Sequence, residues 1–156
     1  GLDLGLRHKG IVVDSAITVP VGKIGAETQK LLDTTELALQ NGIAAAVIGG
    51  RVGDISHAIE QTFKGTGFSV VKVLGGHGVG DHVHEEPFIA NTGHAGTGVE
   101  LEEGMVLALE PIANAGKASV VLAGDGYTYR TKDGSKSAHF EHTILLEKEG
   151  ARIITL

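Results

Sequence analysis

The 156-residue chain contains no cysteine, which excludes a disulfide framework and any thiolate metal site. Aromatic residues make up 4%, too few to build a stacking surface for nucleobases. Basic residues are also short: 13 Lys and Arg stand against 19 Asp and Glu, for a net charge of −6. With no cationic cluster to offset that sign, a nucleic-acid backbone is a poor partner. The longest apolar run, Ile43 to Ile48, is far too short to span a bilayer. No secretory leader is visible at Gly1, and the chain opens almost inside a strand, with a potential ligand at its third residue. The expectation is a soluble, cytoplasmic protein that starts at a cut. Apolar residues at 42% suffice for one compact core, so residues 1–156 read as a single domain truncated at its N-terminus.

The elements that are present alternate in type. Leu2, Leu4 and Leu6 lead into a turn at Arg7-His8-Lys9-Gly10, and Ile11 to Val19 is rich in β-branched residues; together they predict a β-hairpin. With His8-Lys9 as a two-residue loop, Asp3 would face Asp14 across the ladder, the two Cβ atoms roughly 5 Å apart. Such a pair can share metals, share a proton, or simply face solvent. Ala26 to Gln40 has helical spacing at Leu31, Leu32, Thr35 and Leu39, and Asn41-Gly42 reads as its stop. Asp54 can cap a second helix carrying Ile55, Ala58, Ile59 and Phe63, ended by Gly65-Thr66-Gly67. Beyond it, short strands separated by glycine are predicted at Phe68–Leu74, Met105–Ile112, Ala118–Leu122, Tyr127–Thr131, Ala138–Leu146 and Arg152–Leu156. This order indicates an α+β fold with a largely antiparallel sheet.

The sharpest local signal is Gly75-Gly76-His77-Gly78-Val79-Gly80, followed by Asp81-His82-Val83-His84-Glu85-Glu86-Pro87. The flanking glycines let backbone and imidazole approach a ligand closely. A phosphate loop is excluded by context, because no Lys-Ser or Lys-Thr follows and no helix pattern opens there. His77, His82 and His84 could make a three-histidine zinc site, but the nearby glutamates make a mixed histidine-carboxylate site more economical. Glu110 ends the apolar strand Met105 to Leu109, and Glu141 lies within another that continues as Ile144-Leu145-Leu146. Carboxylates crowded into a core repel and resist desolvation unless a cation sits among them. Asp3, Asp14, His77, Glu110 and Glu141 therefore form a candidate site for two divalent metals, a common hydrolytic device.

These residues in their settings, Gly-His-Gly-Val-Gly with His-Glu-Glu-Pro, Glu-Gly-Met with Leu-Glu-Pro, and Ser-Ala-His-Phe-Glu-His-Thr, resemble the catalytic half of the methionine aminopeptidases. The similarity is to the bacterial type I class of the pita-bread metallopeptidases, and it runs from Leu2 to the C-terminus. It implies a mainly antiparallel curved sheet with helices on one side, whose upstream part, with another active-site histidine, is missing here. It also implies that His77 and Glu110 hold one metal (Co, Mn, Fe or Zn), that Asp3 chelates a second, and that Asp14 and Glu141 bridge them. Glu110 would act as general base on the attacking water and His84 would hydrogen-bond the scissile amide. Tyr127 and Val83 would border the substrate side-chain pocket. Implied partners are peptide or nascent-chain N-termini, the latter met at the ribosome, with no membrane. The Xaa-Pro dipeptidase branch shares fold and ligands, and inactive pita-bread domains serve as peptide-binding modules, although those lose ligands that are all present here. With the upstream half absent, the chain alone is expected to be a weak peptidase and to self-associate.

Overall fold

The structure is a computed structural model that describes residues 1–155. Strands β1 (Leu2–His8) and β2 (Ile11–Ile17) are followed by helices α1 (Ala26–Ala45) and α2 (Val52–Phe63). Ten short strands complete the chain: β3 (Ser69–Val70), β4 (Gly75–Gly78), β5 (Glu85–Ala90), β6 (Val106–Leu109), β7 (Ile112–Asn114), β8 (Val120–Leu122), β9 (Tyr129–Thr131), β10 (Ser137–His139), β11 (Glu141–Glu147) and β12 (Gly150–Ile153). Leu156, at the end of the last predicted strand, lies outside the described residues.

The main sheet runs β1-β2-β11-β6-β4-β5, with β12 added beside β11, and all its pairings are antiparallel. Its two faces have different uses because successive side chains alternate. One face packs Leu107 and Leu109 of β6 and Ile144 and Leu146 of β11 into the core with Leu31, Leu39, Ile55 and Ile59 of the helices. The other presents Asp14, His77 and Glu141 around a small cluster of Val12, Val79 and Ala108. Among the described residues, no helix is long and apolar enough to cross a membrane.

Four local expectations are corrected. The hairpin loop is Lys9-Gly10, not His8-Lys9: Lys9 and Gly10 adopt φ of 50° and 91°, and His8 pairs with Ile11. Two successive positive φ values are what a tight hairpin requires, and glycine supplies the second without strain. The register therefore slides, so that Asp14 faces Gly5 and Asp3 faces Ala16. Helix α1 does not stop at Asn41-Gly42. Gly42 is buried inside it, where an added Cβ would lie 3.0 Å from Ile59 Cγ1, so the glycine marks the close approach of α1 to α2. Asp54 sits in the first turn of α2, three residues after the cap Arg51, and accepts the Arg51 N–H at 2.7 Å. It also accepts the Gly96 N–H at 2.7 Å, which ties a distant loop to the helix start.

The fourth correction concerns the glycine segment around His77, which lies outside the predicted strands yet forms β4. An added Cβ at Gly76 would collide with the Ala108 carbonyl oxygen, and one at Gly78 with that of Glu86. Only glycine lets β4 lie this close between β5 and β6.

Candidate metal centre

Each donor is set by a strand. Asp14 lies on β2 and is fixed from β11, since Thr143 Oγ1 accepts its N–H at 2.9 Å and donates to its carbonyl at 2.7 Å. The Ser15 N–H donates to Asp14 Oδ1 at 3.0 Å. His77, on β4, places Nδ1 2.9 Å from the Gly78 carbonyl. A carbonyl only accepts, so Nδ1 carries the hydrogen and Nε2 keeps a lone pair for a ligand. The His84 ring meets that of His77 nearly edge-on, with centroids 4.5 Å apart.

Among the described residues, two groups of donors converge. The ligand atoms of Asp3, Asp14 and Glu141 lie within 4.8 Å of one another, and so do those of Asp14, His77 and His84. Asp3 and Asp14 meet although they are not directly opposed, because the true register makes them diagonal neighbours on one face. Asp14 is common to both groups. His82 is exposed and belongs to neither, which removes the three-histidine arrangement.

Glu141 is 2% exposed, and its Oε1 has no hydrogen-bond partner among the described residues. Burial, reinforced by the charges of Asp14, Glu110 and Asp3, pushes its carboxyl up to about 9. A carboxylate this starved of solvent and surrounded by its own sign is a receptor for a cation. The oxygen-rich set with one or two imidazoles suits hard or borderline divalent metals.

Two clefts open at this point. One, of about 450 Å³, is bordered by Val73, Phe88, Glu85 and His77; the other, of about 600 Å³, by Asp3, Ile112, Tyr127, Tyr129 and His139. Glu110 and His84 border both. Tyr127 is 89% exposed at the rim. Val83 lines neither cleft; its Cγ2 lies 4.0 Å from the position a Cβ would take on Gly5 of the hairpin. His139, not singled out from the sequence, has Nε2 3.1 Å from Glu110 Oε2 and Nδ1 4.0 Å from Asp3 Oδ2. Its signal was available in the motif Ser-Ala-His-Phe-Glu, two residues before a ligand candidate.

Comparison with known proteins agrees with this geometry. The methionine aminopeptidase of Aquifex aeolicus is 46% identical over 156 residues, 99% of this chain and 60% of that protein. Methionine aminopeptidase 1 of Bacillus subtilis is 45% identical over 154 residues, 99% of this chain and 62% of its own length. The crystal structure of the Thermotoga maritima methionine aminopeptidase superposes with a TM-score of 0.95 at 44% identity, covering 98% of this chain and 61% of that one. The Pyrococcus furiosus prolidase, at 23% identity and a TM-score of 0.74, shares the fold alone. The chain thus spans about three fifths of the length of the curated relatives it matches. The sequence profile of metallopeptidase family M24 matches residues 1–148, and the chain belongs to that family.

Proposed function

We propose that the chain carries the catalytic site of an aminopeptidase that removes N-terminal methionine from peptides and nascent chains, using two divalent metal ions. The observation that carries this reading is the convergence of Asp3, Asp14, Glu141, His77 and His84 where two clefts meet. Asp3, Asp14, His77, Glu110 and Glu141 would hold the metals. When bound, the pair supplies Lewis-acid polarisation of the peptide carbonyl and a water of lowered pKa.

The remaining work falls to side chains. Glu110 accepts the proton of the attacking water and passes it to the leaving amine, a task suited to a carboxylate that borders both clefts. His84 donates to the scissile amide and to the oxygen that gains charge during attack. Asp3, an exposed donor, would hold the metal that faces the free α-amino group, so that a chain terminus is preferred to an internal peptide bond. Tyr127 covers the side chain of the first residue and Val83 supports the hairpin beneath it.

Calorimetric titration with Mn²⁺ tests the reading. Up to two sites are expected, one weakened by His77→Ala and the other by Asp3→Asn; unchanged binding in the double variant would refute it. Methionine release from Met-Ala-Ser is expected to be slow, because the open clefts enclose substrate poorly, and to vanish in Glu110→Gln. Faster cleavage of Xaa-Pro dipeptides would favour the prolidase branch, and metal binding with no hydrolysis a peptide-binding module.

A further inference from the structure

The proposed chemistry leaves one imidazole at its centre without a task. His139 ends β10, and its backbone is held from both sides by a single hydroxyl: Thr18 Oγ1 donates to the His139 carbonyl at 2.8 Å and accepts its N–H at 2.9 Å. Its neighbours Ala138 and Phe140 are buried in the helix-side core, which turns the imidazole to the opposite face, into the cleft it shares with Glu110, His84 and Asp3. The ring is therefore aimed by backbone and packing rather than by its own contacts.

The side chain is 20% exposed, yet Nε2 is fully shielded and, among the described residues, has no aligned hydrogen-bond partner. An unmatched buried N–H is unfavourable by about 1–3 kcal/mol. The acceptor in reach is Glu110 Oε2, at 3.1 Å, close enough for a hydrogen bond once the carboxylate turns to meet it. Glu110 is itself only 15% exposed at its side chain.

We propose that His139 is a positioning residue for Glu110: its Nε2–H donates to one carboxylate oxygen and fixes the plane of the group, leaving the other oxygen to face the metal centre. The inference rests on the assignment of Glu110 to that centre. Partners of this kind govern ligand orientation, and their loss typically weakens metal affinity by about 10-fold to 100-fold.

The test is Mn²⁺ titration of the full chain, with thermal unfolding of the metal-free protein alongside. His139→Leu should weaken Mn²⁺ binding by about tenfold or more while leaving the metal-free midpoint unchanged. His139→Gln, which keeps a side-chain N–H donor of similar reach, should recover most of the affinity. In the Glu110→Gln background His139→Leu should add almost nothing, because residues that act as one unit are non-additive. Should His139→Leu unfold, His139→Gln against the shorter His139→Asn makes the same comparison of reach. Wild-type affinity in His139→Leu, failure of His139→Gln to recover it, or full additivity would overturn the proposal. Unchanged binding in Glu110→Gln alone would overturn the metal-centre assignment beneath it.

Discussion

Asp3 and Glu141 reach the same donor cluster from opposite surroundings. Asp3 sits on an edge strand whose seven residues are all exposed, its side chain 61% accessible. Glu141 is on a central strand and 2% exposed. Water solvates the first carboxylate whether or not a metal is present, whereas the second has only its neighbours' negative charge. The edge thus provides an open, adjustable ligand, and the centre provides the electrostatic demand that only a cation meets.

The largest effect expected from this contrast is on pH dependence. With its folded carboxyl pushed to about 9 from an ordinary 4.5, Glu141 favours the protonated folded state. Its contribution is complete below the unfolded value and is lost as pH rises towards the folded one. The metal-free chain should therefore lose on the order of a few kcal/mol of stability across that window, as measured by urea unfolding. Glu141→Gln should flatten the profile, while Asp3→Asn, which removes the weakest of the three neighbouring charges, should shift it only slightly; equal effects of the two would break the comparison.

Backbone crowding supplies the next effect. Gly76→Ala at the sheet centre drives a methyl group into the Ala108 carbonyl and should destabilise by about 3 kcal/mol, read from the same unfolding curves. A smaller effect concerns the open face of the edge. Leu2, Leu4 and Leu6 are all more than half exposed, and β1 has one unpaired side, a combination that invites pairing with a second copy. Light scattering should show self-association, weakened in Leu4→Lys; a monomer at all concentrations would remove the prediction. The smallest change is expected for Gly5→Ala, whose Cβ would only touch Asp14 Oδ1 at 3.8 Å, within about 0.5 kcal/mol of wild type.

Asp14 and Glu141 were legible as candidates because a carboxylate on an apolar strand is costly unless matched, and both are buried as that logic requires. The fold class followed from alternating apolar residues and glycine punctuation. Hairpin register was harder, since a shift by one loop position changes every pair, and the φ values at Lys9 and Gly10 were not readable from residue types alone. Strand β4 was hidden because its glycines answer to neighbouring backbones rather than to β propensity. Gly42 misled for a related reason: the helix tolerates it in order to admit Ile59. His139 stood in view in the motif Ser-Ala-His-Phe-Glu, but its proximity to Glu110 arises from tertiary placement and could not be read from spacing.

The bond between Asp14 and Thr143 closes a separation of 129 residues, and this bears on the order of folding. Helices α1 and α2 can pair locally, but β2 finds its inner neighbour only when β11 is available. Contacts of such long range form slowly, because chain entropy must be surrendered before they stabilise anything. During synthesis the hairpin emerges well before β11 and waits with its apolar side open. A pause or cleavage ahead of Glu141 would leave the β1-β2 hairpin separate from β4, β5 and β6, an intermediate that cannot assemble the donor set, so the site closes only when β11 joins the two.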